Sequence, residues 1–260
     1  MGLDELLGVA ATQPGTVGLF FDFDGTLSRI QDDPASVQPL PDVVSSLEAL
    51  TERLGVIAIV SGRPVSFLEQ HFQNPNVQLS GLYGIERRID GRPDTDPQAL
   101  KWSTTMAAII DMARGEFGEA AVEDKQHSLT VHYRRESEDF ATAVHEWAEG
   151  VALATGVDMH GAKQSVELHP PIERSKGDAV QDLAKGITAA GYFGDDLGDI
   201  PAFERIAAMT TNGSLSVSAR VLVAGPETSE SLRDHATDVF DSPDRVRDTI
   251  VNLTETLTSR

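Results

Sequence analysis

Residues 17–21 (VGLFF) form an unbroken apolar run that ends at Asp22, and 56–60 (VIAIV) form a second that ends at Ser61. Runs of this length without alternation predict strands buried on both faces, as in a parallel sheet. Between them Pro41 opens a helical pattern, with Val43, Val44, Leu47, Leu50 and Leu54 on one stripe. Strand, helix, strand is the start of a doubly wound α/β fold. The middle of the chain changes period. Residues 98–117 read as helix, and 127–134 (HSLTVHYR) then alternate, with Leu129, Val131 and Tyr133 on one face and Thr130, His132 and Arg134 on the other. That predicts an antiparallel strand with one face in water. Phe140, Val144, Trp147 and Val151 mark a further helix, and 163–168 (KQSVEL) alternates again, with Lys163, Ser165 and Glu167 on its polar face. The α/β pattern then returns: a helix opened by Lys176, a short strand at 190–194 ending at Asp195, a strand at 220–224, and a last helix carrying Val246, Ile250 and Val251. The expected plan is an α/β core made of 1–92 and 173–260, interrupted by a smaller α+β cap at 93–172.

Composition narrows the function classes. The 260 residues include 41 acidic and 21 basic side chains, a formal net charge of −20. A field of that sign repels phosphate backbones and anionic lipid, which argues against nucleic acid and membrane surfaces as partners. There are no cysteines, which removes disulfides, thiolate metal sites and cysteine nucleophiles. The first residues, MGLDELLGVAATQPG, are acidic and do not read as a secretory signal. No stretch approaches the roughly 18 apolar residues of a membrane span. A cytoplasmic enzyme is the expectation, and an acidic surface adapted to high salt fits the composition equally.

Ligands of open parallel sheets bind beyond the carboxyl ends of the strands. Three predicted strands end there in Asp22, Ser61 and Asp195. Asp22-Phe23-Asp24-Gly25-Thr26-Leu27 places two carboxylates two residues apart after a buried strand, an arrangement that is costly unless a cation is bound. Gly194-Asp195-Asp196-Leu197-Gly198-Asp199 holds three acids in five residues. Oxygen donors of this kind suit Mg2+. Either segment alone also reads as a helix-capping turn. Ser61-Gly62-Arg63-Pro64 is an ordinary helix start, or a hydroxyl and backbone N–H groups offered to a phosphate. Lys176 is a solvated charge, or a cation set against Asp22.

In this order the four segments resemble the haloacid dehalogenase superfamily of phosphotransferases. The resemblance implies a Rossmann-like core and a covalent aspartyl-phosphate intermediate. Asp22 is then the nucleophile, and Asp24 protonates the leaving oxygen and later activates water. Ser61 hydrogen-bonds the phosphoryl group, and Lys176 orients Asp22. Mg2+ sits on Asp22, the backbone carbonyl of Asp24 and Asp195, with Asp196 and Asp199 in support. Val122-Glu123-Asp124-Lys125 with Val131-His132-Tyr133-Arg134, Gly161 to Pro170, and Gly81-Leu82-Tyr83-Gly84-Ile85-Glu86 resemble trehalose-6-phosphate phosphatases, over about 17–240. That resemblance implies hydrolysis of a small-molecule substrate, trehalose 6-phosphate, as the last step of trehalose biosynthesis by a free-standing monomer. It assigns substrate contacts to Gly62, Arg63, Tyr83, Glu86, Lys125, Arg134, Lys163 and Glu167. The chain departs from the family pattern at Gly198-Asp199-Ile200, where Thr-Asp-Glu is common, and at His169, where arginine is usual. Two alternatives stay open: a phosphatase of the same fold acting on sucrose 6-phosphate or glucosylglycerol phosphate, and a non-catalytic regulator that binds a sugar phosphate.

Overall fold

The computed structural model describes residues 2–259 apart from Asp32, Pro34, Ala35, Arg135, Lys163, Pro226 and Glu227. The chain divides into two compact units, Met1–Asp94 with Arg174–Arg260, and Thr95–Glu173.

The larger unit is built on β1 (Val17–Phe21), β2 (Val56–Val60), β3 (Val77–Gly81), β4 (Glu86–Ile89), β5 (Arg92–Thr95), β10 (Ala189–Gly194), β11 (Val217–Val223) and β12 (Asp238–Phe240). Their order in the sheet is β12-β11-β10-β1-β2-β3-β4-β5. The six strands from β12 to β3 run parallel, and β4 turns back antiparallel on β3. Continuous apolar runs suit this arrangement because helices cover both faces. On one side α1 (Leu3–Thr12), α2 (Val43–Leu50) and α9 (Pro243–Thr258) pack Leu6, Leu47 and Ile250 against Leu19, Phe21 and Ile59. On the other, α6 (Lys176–Leu183) and α7 (Ile200–Thr211) pack Val180, Phe203 and Ile206 against Phe20, Val60 and Tyr192. Successive strand residues therefore face opposite layers of one α/β/α stack.

From β1 the chain winds outward through β2 and β3 on one side and through β10, β11 and β12 on the other. The order reverses at β1, the kind of position beyond whose strand ends open α/β sheets bind their ligands. The register brings three of those ends level: Phe21 pairs with Phe193 and with Ile59.

The smaller unit is a four-stranded antiparallel sheet, in the order β6 (Val122–Asp124), β7 (Leu129–His132), β9 (Ser165–His169), β8 (Asp158–Ala162). The helices α4 (Pro97–Phe117) and α5 (Glu138–Thr155) cover one face, with Ile109, Ile110 and Val144 against Leu129, Val131 and Val166. Asp96 and Ser137 cap the two helices by accepting from Gln98 N and Phe140 N.

The sheet differs from expectation in extent. The alternating stretch 127–134 is a strand only over Leu129–His132, because Gln126, at φ 65°, turns the chain before it and Arg134 lies in the turn after it. The expected water face is partly closed: Thr130 and Ser165 are buried. Both sit on inner strands, with Thr130 flanked by Glu123 and Glu167. Asp158–Ala162 forms a strand that the sequence pattern leaves unmarked.

Candidate active site

The site begins at the carboxyl end of β1. Asp22 N–H donates to the Phe193 carbonyl at 2.8 Å, extending the β1–β10 ladder by one residue and placing the Asp22 side chain beside the 195–199 loop. Gly25, at φ 73°, turns the chain back. A Cβ there would lie 2.1 Å from an Asp195 carboxylate oxygen, so the motif glycine is what lets the two acidic loops touch.

Carboxylate oxygens of Asp22, Asp195 and Asp199 lie within 4.8 Å of one another. Asp22 is 4% exposed, Lys176 3% and Asp199 0%. Lys176 begins α6, where Ser175 and Asp178 form a reciprocal cap, and its Nζ donates to Asp22 Oδ1 at 2.9 Å and to Asp199 Oδ1 at 2.7 Å. Asp199 is saturated: Tyr192 also donates to Oδ1, at 2.6 Å, and the N–H groups of Asp195 and Asp196 donate to Oδ2 at 2.8 and 3.1 Å. It braces the site, while Asp22 and Asp195 keep acceptor capacity for a cation. Tyr192 escapes a sequence reading because it hides in an apolar strand. Its signal is a hydroxyl that needs a partner in a buried run next to acids.

The charge is unbalanced. Burial raises the Asp22 carboxyl well above its ordinary range, against the pull of Lys176 and with Asp199, Asp195 and Asp196 adding to the rise. Burial, then Asp199 and Asp196, pushes Asp195 up to about 8. Burial works against the Lys176 charge, but Asp199 and Asp22 outweigh it and hold the ammonium well above the lysine range. One lysine does not balance these acids, and the donors are hard oxygens, so the group fits a divalent cation such as Mg2+.

That imbalance sets a pH dependence. Asp195 binds its proton more tightly in the folded chain than in the unfolded one, so between the two pKa values folding takes up a proton and stability falls as pH rises. Metal-free protein is therefore expected to melt at a higher temperature at about pH 7 than at about pH 9, with Mg2+ flattening the difference. Below about pH 6.5 the depressed imidazoles of His71 and His127 pull the other way. A metal-free melting temperature that rises from pH 7 to 9 would contradict this charge assignment.

Ser61 is buried beyond β2, its Oγ accepting from Arg63 N at 3.2 Å. Tyr83 donates its N–H to the Ser61 carbonyl at 3.2 Å. Tyr83 has φ 58° between Leu82 at 47° and Gly84 at 99°, three successive left-handed residues, and 41% of it is exposed. Its ring lies against both Gly62 and Gly198, bridging the serine loop and the acidic loop. Asp24 pairs its carboxylate with Arg63 and is not one of the three clustered acids. Glu86 is buried and accepts from Val65 N at 2.9 Å, so it holds the first turn after the serine loop.

In the smaller unit, Lys125 Nζ lies 3.2 Å from Glu167 Oε1, which also accepts from Ser128 Oγ at 3.0 Å. Arg134 lies in the turn after β7, and Lys163 falls outside the described residues. His169 Nε2 meets His160 Nδ1 at 2.6 Å.

Fold and site together define an α/β protein with a buried cluster of acids and one lysine at the point where its strand order reverses. More closely, the chain belongs to the trehalose-phosphatase family, whose model matches residues 20–236. It is 30% identical to a probable trehalose-phosphate phosphatase of Sinorhizobium fredii, over 78% of each chain. It is also 30% identical to a trehalose-phosphate phosphatase of Mycobacterium tuberculosis, across 76% of this chain and 52% of the relative, about half that relative's length. The crystal structure of a trehalose-6-phosphate phosphatase related protein superposes with TM-score 0.78 at 20% identity, covering 94% of this chain and 99% of that one. Among the described residues no helix is long and apolar enough to cross a membrane.

Proposed function

We propose that this protein hydrolyses trehalose 6-phosphate to trehalose and phosphate, with Asp22 as nucleophile and Mg2+ as cofactor. The observation that carries the reading is Asp22 itself: a buried carboxylate at the switch point of the sheet, 2.9 Å from Lys176, in a chain of the trehalose-phosphatase family. Asp22 attacks phosphorus and the bond to the sugar oxygen breaks, Asp24 giving that oxygen its proton. Asp24 then takes a proton from water, water attacks the aspartyl phosphate, and the Asp22 carboxylate is released with inorganic phosphate. Splitting one hard displacement into two is the gain from a covalent intermediate. Asp22, Asp195 and the Asp24 backbone carbonyl would hold Mg2+, with Asp196 and Asp199 behind them. When bound, the metal neutralises charge on the transferring phosphoryl oxygens. Lys176 and Ser61 bind and orient the same group.

The larger unit supplies this chemistry, and the smaller one supplies substrate choice through Lys125, Arg134, Lys163 and Glu167. In the larger unit Gly62 and Tyr83 remain the candidate sugar contacts, while Arg63 is engaged by Asp24 and Glu86 by the Val65 N–H. The Lys125–Glu167 pair supports that role: two charged groups already oriented by each other suit the hydroxyls of a neutral disaccharide. We take the protein to act as a monomer in the cytoplasm.

The test is phosphate release from trehalose 6-phosphate, sucrose 6-phosphate, glucose 6-phosphate and an aryl phosphate, with Mg2+ and with chelator. Fast, metal-dependent release from trehalose 6-phosphate above the rest is expected. Preference for another sugar phosphate would keep the core chemistry and overturn the substrate. No release from any would overturn both.

A further inference from the structure

Arg63 leaves the serine loop and closes on a residue 39 positions earlier. Its Nε donates to Asp24 Oδ2 and its Nη2 to Asp24 Oδ1, both at 2.8 Å. This two-point fork is a geometry that arginine offers and lysine does not. Each carboxylate oxygen has a second acceptor site, so the fork fixes the direction of Asp24 without exhausting it. The Asp24 side chain is 35% exposed and the Arg63 side chain 13%, so the acid faces the open side and its holder lies beneath.

Arg63 is held in turn. Its Cζ lies 4.5 Å from the Phe67 ring centroid, and Phe67 meets Phe23 edge-on at 5.7 Å. Phe23 sits between Asp22 and Asp24 in the chain, is fully buried, and packs on His71 and Phe72. Burial, with Arg63 adding, lowers the His71 pKa, so this cluster presents the Arg63 charge rather than an imidazolium. The nucleophile loop and the serine loop are thus locked by an aromatic stack on one side of Arg63 and an ion pair on the other.

We propose that Arg63 is a positioning residue that aims the Asp24 carboxyl at the leaving oxygen of the substrate, with Phe67 as its backstop. This rests on Asp24 being the proton donor of the proposed reaction. A donor matters in proportion to how poor the leaving group is: a sugar alkoxide needs the proton, p-nitrophenolate hardly does, and phenolate lies between. General acids contribute about 10²–10⁴-fold.

The experiment compares kcat/KM for trehalose 6-phosphate, phenyl phosphate and p-nitrophenyl phosphate in wild type, Arg63→Lys, Phe67→Leu and Asp24→Asn, all with saturating Mg2+. For Arg63→Lys, trehalose 6-phosphate is expected to lose about 10²-fold, and phenyl phosphate about tenfold more than p-nitrophenyl phosphate. Asp24→Asn should show the same split more strongly and Phe67→Leu more weakly. The two aryl esters have nearly the same shape, so a role in gripping the sugar or in general folding would not separate them. Equal losses on both aryl esters, or no loss, would overturn the proposal while leaving the phosphatase reading intact. If wild type spares trehalose 6-phosphate but cleaves the aryl esters, the substrate reading fails and the aryl split still decides the role of Arg63. Absence of turnover of any ester by wild type would overturn the phosphatase reading and this proposal together.

Discussion

Asp22→Asn is expected to lose at least about 10⁴-fold in turnover on any phosphate ester the wild type accepts, and yet to fold at least as stably without metal. The first half follows from chemistry. An amide of the same shape cannot form the acyl phosphate, and removing a nucleophile collapses the contribution of every group that serves it. The second half follows from the charge imbalance. Burial and three neighbouring acids raise the Asp22 carboxyl, so its charged form is a cost to the metal-free fold and a neutral amide removes that cost. Lys176 keeps Asp199 at 2.7 Å as its partner, so the lysine is not stranded. Steady-state rates and thermal melting in chelator measure the two halves on one preparation. Turnover within tenfold of wild type would remove Asp22 from the mechanism. Lost activity with an unfolded protein would mean that the carboxylate is needed for the fold.

Much of the core site was legible because the signals are local and physically costly. An apolar run that ends in a carboxylate must bury that carboxylate at a strand end, and parallel strands bring such ends level whatever their separation in the chain. That reasoning places Asp22, Ser61 and Asp195 at one edge, as the register of β1 with β2 and β10 requires. What was illegible depends on distant pairing. Nothing near Arg63 shows that its guanidinium closes on Asp24, or that Glu86 turns inward to Val65 N–H. Tyr192 looks like one more strand residue until Asp199 arrives opposite it. The left-handed run at Leu82-Tyr83-Gly84 has glycine only at its last position, so the sequence hides the turn that sets Tyr83 between the two loops. Short elements such as Asp158–Ala162 and Asp238–Phe240 draw their stability from the strands beside them, not from their own pattern.

Lys176→Met is expected to cost the fold about 3–5 kcal/mol at neutral pH, as well as activity. Methionine nearly matches the lysine stem in length, so packing alone should change little. What disappears is the charge between Asp22 Oδ1 and Asp199 Oδ1 in a place that is 3% exposed, and a buried carboxylate without its partner is far costlier than an exposed one. The sign with pH follows from the same groups. Lys176 has a raised pKa, so its stabilisation is fully present below the ordinary lysine value and is lost only as pH rises through the higher folded one. At neutral pH the variant therefore forfeits all of it. The loss should shrink as pH falls, because Asp22 can then carry a proton instead. Mg2+ should restore only part of the stability: a cation on Asp22 and Asp195 replaces one of the two contacts, while Asp199 keeps only Tyr192 and the backbone N–H groups of Asp195 and Asp196 as donors. Urea unfolding of wild type and variant, with and without Mg2+ and at two pH values, separates these contributions. A variant within about 1 kcal/mol of wild type in chelator would mean that water already reaches Asp22 and Asp199, and that the site is neither dry nor dependent on its one buried cation.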